Sequence, residues 1–185
     1  MRRLIIGEGK EGKSVVLRDD NNLRKTEFDY RSGKWAFMTE IWATDEVPII
    51  PIGDEDDPTL SMSSIIPPPG GTRCRLMIFP HQKAMQEMVT DYTSRGSNIF
   101  EEMHKQAPGI EGTTDNTTGM HYTDTIDYGY IISGQIDLQL DDGKLFNLKA
   151  GDSYVLKGTM HSWGNPYDEP CVWVVFMIGG NRKKA

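Results

Sequence analysis

Cysteine is scarce: Cys74 and Cys171 are the two in 185 residues, and each sits in an apolar, strand-like run. A free thiol in such a run acts as a small buried hydrophobe, and a cytoplasmic setting needs no disulfide. Long apolar runs are missing too. None approaches the ~20 residues of a membrane span, which excludes a helical membrane anchor. Met1-Arg2-Arg3 is followed by only Leu4-Ile5-Ile6, too short for the apolar core of a secretory leader. The expected location is therefore the cytoplasm. Positive charge is the minority sign, with 20 Lys and Arg against 27 Asp and Glu and a net charge of -7. A chain of that sign is not built to neutralise phosphates, so nucleic acid is excluded as a partner. What remains is one globular domain with a core of its own.

The N-terminal part reads as short strands at Arg2 to Ile6, Ser14 to Leu17 and Phe37 to Trp42, separated by turn clusters. Gly7 to Ser14 matches the phosphate-loop pattern G-x-x-x-x-G-K-S. That mechanism needs a helix beginning at Lys-Ser, whose amides face the phosphates. Here Ser14 leads into Val15-Val16-Leu17 and then a turn, and Glu8 and Glu11 would repel phosphate. The segment is expected to be a β-hairpin. Residues 43–71 are irregular and Pro-rich, and a stretch that long belongs laid across the barrel or a partner subunit.

Arg73 to Phe79 alternates strictly, as a strand does. Arg73 and Arg75 read as surface charges on an edge strand, with bidentate anchoring of a substrate carboxylate as the alternative for either. The period then becomes helical at Met85, Met88, Val89 and Tyr92, breaks at Gly96, and resumes after an Asn98/Glu101 capping pattern. Residues 82–105 form a helical insert, either a lid over the barrel mouth or a packing element. His81 and His104 read as solvated. The segment Gly112 to Gly119 is a polar loop, and the sequon at Asn116 carries no meaning without a secretory leader. From Met120 onward short strands alternate with turns at Gly134, Gly143, Gly151, Gly158 and Gly164, the rhythm of an antiparallel barrel or jelly roll. The last strand, Cys171 to Ile178, is almost wholly apolar, as for burial on both faces or at a subunit contact.

His121, Asp127 and His161 lie on separate strands of this barrel. Two imidazoles and one carboxylate can converge on an interior point and leave open positions on a bound ion. Gly129 shares the strand parity of Asp127 and would leave room above the site. Trp163 shares that of His161 and would wall the pocket.

The stretch resembles the two motifs of the cupin superfamily. The first reads His121-Tyr122-Thr123, three residues, Asp127, six residues, Gly134; the second reads Gly151-Asp152, Leu156-Lys157-Gly158, His161 and Asn165. The pattern is similar to that of small stand-alone cupins of no settled reaction. It departs from the family at Thr123, where the second His stands, and at Asp127, where Glu stands. The resemblance implies an all-β, cupin-type double-stranded β-helix, a jelly-roll barrel, with an N-terminal β arm (1–71), a helical insert (82–105) and a core over 119–180, all within one domain of 1–185. It implies a divalent transition metal (iron, zinc, manganese or nickel) on His121, Asp127 and His161, or no metal if Thr123 has removed too much of the site. Those three are the candidate catalytic residues, with Trp163, Arg75 and Thr123 placed to bind substrate. The activities implied are a lyase, dehydratase or isomerase acting on a carbonyl- or hydroxyl-rich metabolite, an iron(II) dioxygenase, or a non-catalytic binding barrel. A homodimer is expected, because the apolar last strand and the arm need a cover.

Overall fold

A computed structural model describes residues 1–53, 56–108 and 119–183, the side chains of Phe100 and His104 excepted. The Gly112 to Gly119 loop up to residue 118, the Asn116 sequon and the His104 side chain lie outside the described residues.

The chain opens with a hairpin of β1 (Arg3–Glu8) and β2 (Ser14–Asp20). Its turn is closed by Gly9 N–H to the Lys13 carbonyl at 2.8 Å and Gly12 N–H to the Gly9 carbonyl at 3.0 Å. The phosphate-loop pattern is thus a hairpin turn with no helix behind it. Next come β3 (Lys25–Tyr30) and β4 (Gly33–Thr44), the short helix α1 (Pro58–Ser61) and β5 (Thr72–Phe79). The helices α2 (Gln82–Ser94) and α3 (Ile99–Gln106) precede the second half. That half comprises β6 (Thr125–Ser133), β7 (Gln135–Leu140), β8 (Leu145–Lys149), β9 (Ser153–Lys157), β10 (His161–Gly164) and β11 (Cys171–Gly179).

These strands make a six-stranded sheet, β3-β4-β5-β11-β6-β9, facing a three-stranded sheet, β10-β7-β8. Every pairing is antiparallel. β3, β4 and β5 from the N-terminal half thus share one sheet with β6, β9 and β11, while β1 and β2 pair only with each other. Ile131, Ile136, Cys171, Trp173, Val175 and Met177 fill the space between the layers. A second cluster, built on Phe28, Phe37, Met88 and Tyr92, seats the helices on β3 and β4. His81 is the N-cap of α2, its Nδ1 accepting from Ala84 N–H at 3.3 Å, rather than a merely solvated residue.

Two expectations from the alternation of β5 and β11 are corrected. β5 is not an edge strand: it lies between β4 and β11, and Arg73 and Arg75 are 1% and 3% exposed. The unforeseen β3 and the longer β4 extend the sheet past it. The Pro-rich arm then lies over the two guanidinium groups. Arg73 donates to the carbonyls of Ser64 and Thr44, and Arg75 to that of Ile65. The arm is tied down again where Gly70 N–H donates to the Gly179 carbonyl at 3.0 Å. β11 is not buried on both faces. Its inward residues pack between the sheets, while Phe176 and Ile178 stay exposed on the outer face. No helix among the described residues is long and apolar enough to cross a membrane.

Candidate functional site

A cavity of about 660 Å³ opens between the two sheets and under the helices. Its lining is mainly apolar, with Phe79, Met77, Trp163, Trp173 and Met177 from the sheets and Met85 and Met103 from the helices. The polar exceptions include His121, His161, Asp127, Thr123 and Arg75. All six candidate site residues therefore face one space.

His121 and His161 are brought together by the backbone. His161 opens β10, and His121 forms an isolated antiparallel bridge with it. Each amide donates to the other residue's carbonyl, at 2.8 and 2.9 Å. Directly opposed residues in such a pair put their side chains on the same face, and the two ring centroids lie 4.3 Å apart. His121 Nδ1 is 2.9 Å from the Gly119 carbonyl, and His161 Nδ1 is 2.9 Å from the Thr159 carbonyl. A carbonyl only accepts, so Nδ1 carries the proton in both rings and Nε2 keeps its lone pair. This is the arrangement that fixes the tautomer of metal-bound imidazoles. Burial pushes His161 down to about 4, helped by its neighbour His121 and opposed by the Thr159 carbonyl. Burial likewise lowers His121, against the Gly119 carbonyl. Both rings are neutral at pH 7.

Asp127 stands on the other layer, in β6, paired with Leu156 and Met177. Among the described residues no group of three or more His, Cys, Asp or Glu is placed to hold one ion. Asp127 Oδ1 instead accepts from Thr125 Oγ1 at 2.6 Å, and Thr125 Oγ1 lies 2.6 Å from Thr123 Oγ1. Thr125 has one hydroxyl proton, given to Asp127, so Thr123 must donate to Thr125. The three side chains form a directed chain along one face of the extended segment. Burial raises the Asp127 carboxyl above its usual range, against the Thr125 hydrogen bond and the Arg75 charge.

Trp163 walls the cavity beside the imidazoles. Its ring is 5.8 Å from His161, 5.6 Å from Trp173 and 5.1 Å from Tyr154. Gly129 leaves no open space: a Cβ there would lie 2.1 Å from the Tyr154 ring, so the glycine makes room for that tyrosine. Asn165 serves its own turn, donating to the Glu169 carbonyl and accepting from Tyr167 N–H.

Thr125 and Tyr154 are site residues that the sequence reading passed over. Thr125 could have been found, since it shares the strand parity of Thr123 and Asp127. Tyr154 carried no separate signal. Neither did Glu40, which pairs with Arg75 from β4.

The fold is a double-layered antiparallel barrel of the kind found in cupins, with two histidines side by side in its interior. Residues 112–177 match the family model described as "Cupin domain". Over 46 residues, 25% of this chain and 24% of the relative, it is 52% identical to phomopsin biosynthesis cluster protein C' of Diaporthe leptostromiformis. Over 84 residues, 45% of this chain and 39% of the relative, it is 33% identical to the cupin-domain-containing oxidoreductase srdD of Neurospora crassa. The chain thus spans about a quarter of the length of the first curated relatives it matches. Among solved structures, an RmlC-like cupin with a double-stranded β-helix fold from Methanocaldococcus jannaschii is 14% identical, covering 58% of this chain and 70% of that one, with a TM-score of 0.36.

Proposed function

We propose that the chain is a small-molecule enzyme whose reactive centre is the His121–His161 pair. The observation that carries this reading is the pair itself: two neighbouring, neutral imidazoles, both tied through Nδ1 to backbone carbonyls, facing an apolar cavity. Such a donor set fits a divalent transition ion at two positions, held by His121 Nε2 and His161 Nε2. When bound, the ion supplies a Lewis acid with positions open to a substrate oxygen. The ligand set is two residues, and Asp127 has a separate task.

Asp127 is the proton-transfer group. Burial raises its carboxyl, and Thr125 donates to Oδ1, which leaves Oδ2 for the substrate. Oδ2 is then the atom that gives or takes a proton at the substrate. Thr123 and Thr125 hold the carboxyl in one orientation. Trp163 and Trp173 exclude water and provide flat surfaces for an unsaturated or ring-bearing substrate. Proton movement next to a polarised oxygen supports a lyase, dehydratase or isomerase. The Neurospora crassa relative, named an oxidoreductase, supports a second reading of that kind. Oxygen uptake by the iron(II)-loaded chain during turnover separates the two.

The outer face of the six-stranded sheet supports a homodimer. Tyr128 pairs with Val155 and Phe176 across three strands, and Ile126 with Ile178, all of them exposed. Contiguous apolar faces of this kind mark protein contacts, and a second copy of the same flat face is self-complementary. The two free thiols suit a cytoplasmic setting.

Cobalt(II) reports ligand type through its visible absorption. Added to the purified chain, it should give the bands of a nitrogen-ligated ion, lost in His161→Ala. A wild-type spectrum identical to aqueous cobalt(II) would contradict the reading.

A further inference from the structure

Arg75 is a buried cation on the wall of an apolar cavity, and its partners leave part of it unused. Its Nε donates to Glu40 Oε2 at 3.2 Å, and its Nη2 donates to the Ile65 carbonyl at 2.5 Å. Glu40 Oε1 lies 3.1 Å from the same Nε as an ion-pair contact but makes no hydrogen bond. Nη1 carries two further N–H groups. Its one partner among the described residues is the Met38 sulfur at 3.9 Å, a weak acceptor.

A buried ion pair is poor evidence for stability, since desolvation offsets most of the attraction. Arg75 is 3% exposed, yet it lines the ligand cavity rather than the packed core behind it. Its place in the sheet is also defined. Gly129, Val175, Arg75 and Glu40 form one row across β6, β11, β5 and β4. Arg75 is therefore two strand spacings, ~10 Å, from the strand that bears Asp127.

We propose that Arg75 Nη1 anchors an anionic oxygen of the ligand, so that the substrate is a largely apolar molecule carrying one acidic group, a carboxylate or an enolate. This inference rests on the cavity being the ligand site, as proposed above. The acid end sits on Arg75, the apolar body lies along Trp173 and Met77, and the reacting end reaches the imidazoles and Asp127. A charge-assisted bond in a water-poor cavity is stronger than the same bond in water. It also selects against neutral analogues, which would leave Nη1 unpaired.

Two fluorescent probes with nearly the same skeleton test this: 8-anilinonaphthalene-1-sulfonate, an anion, and N-phenyl-1-naphthylamine, its neutral counterpart. Without an anchor the neutral probe binds an apolar cavity more tightly, because the sulfonate is better solvated. The expected result is the reverse, with the anion bound at least tenfold more tightly by the wild-type chain and excited by energy transfer from the cavity tryptophans. Arg75→Met leaves Glu40 unpaired and risks misfolding, so the variant to use is Arg75→Met with Glu40→Gln. It should lose the anion preference and keep the Kd for the neutral probe, whereas Arg75→Lys should keep a reduced preference. Equal binding of both probes to the wild type, or a preference that survives the double substitution, overturns the anchor while leaving the cavity as a ligand site. Binding of neither probe overturns both.

Discussion

Gly129→Ala is the substitution with the most sharply defined consequence. The added methyl would lie 2.1 Å from Tyr154 Cε1 and Cζ and 2.5 Å from its hydroxyl oxygen, where ordinary contact begins near 3.4 Å. The ring must move by more than an ångström. It cannot move freely, because Trp163 stands against it with centroids 5.1 Å apart. Overpacking of this kind costs about 1–3 kcal/mol, and a clash this deep belongs at the upper end. Replacing a strand glycine by alanine returns about 0.5–1 kcal/mol. The net loss is about 2 kcal/mol, a fall in Tm of about 4–8 °C for a chain of this length. Thermal unfolding followed by circular dichroism reads the shift, and tryptophan emission reports the disturbance at Trp163. In a Tyr154→Leu background the same substitution should be neutral or slightly stabilising, because its partner is gone. An unchanged Tm in the single variant, or an equal loss in both backgrounds, would refute the packing described for this row.

Acid should weaken the metal-free chain through His161. Its folded pKa is pushed down to about 4, so between 6.5 and 4 the unfolded chain takes up a proton that the folded chain refuses. The contribution is whole above pH 6.5 and falls as pH drops, by about 2 kcal/mol at pH 5. Asp127 and Glu40, raised by burial, act in the opposite direction, so His161→Gln should flatten the decline in urea midpoints or reverse it; an unaltered slope would show that His161 titrates normally. Phe176→Asp, on the exposed outer face, should give a monomer by sedimentation with secondary structure intact, and a wild type already monomeric at micromolar concentration would remove the dimer.

Much of the C-terminal half was legible because its punctuation is local. Glycines 134, 143, 151 and 158 all adopt positive φ at the turns where alternation breaks. Period gave α2 and the alternation of β5, and the Asn98/Glu101 capping pattern gave α3. Burial was harder to read. Arg73 and Arg75 look like surface charges until β3, β4 and the arm cover them, and Lys25–Tyr30 (K-T-E-F-D-Y) is too polar to announce a strand that pairs with β4. The motif spacing brought His121 and His161 to one cavity, but spacing along the chain cannot say which layer a side chain joins. The bridge between the two histidines places them on the three-stranded side, and β6 holds Asp127 on the other. We propose a pair and a separate acid where the sequence suggested a three-ligand set.

That division is tested most directly by a zinc titration of the chelator-treated chain, followed by calorimetry. The wild type should bind one ion per chain. His121→Ala and His161→Ala should each lose at least a hundredfold in affinity, because one imidazole does not hold an ion against water. Asp127→Asn, which keeps the shape and removes the charge, should bind within about threefold of wild type. A loss in Asp127→Asn as large as in the histidine variants would make the carboxylate a third ligand and contradict the pair. No binding by the wild type would remove the ion from the account altogether.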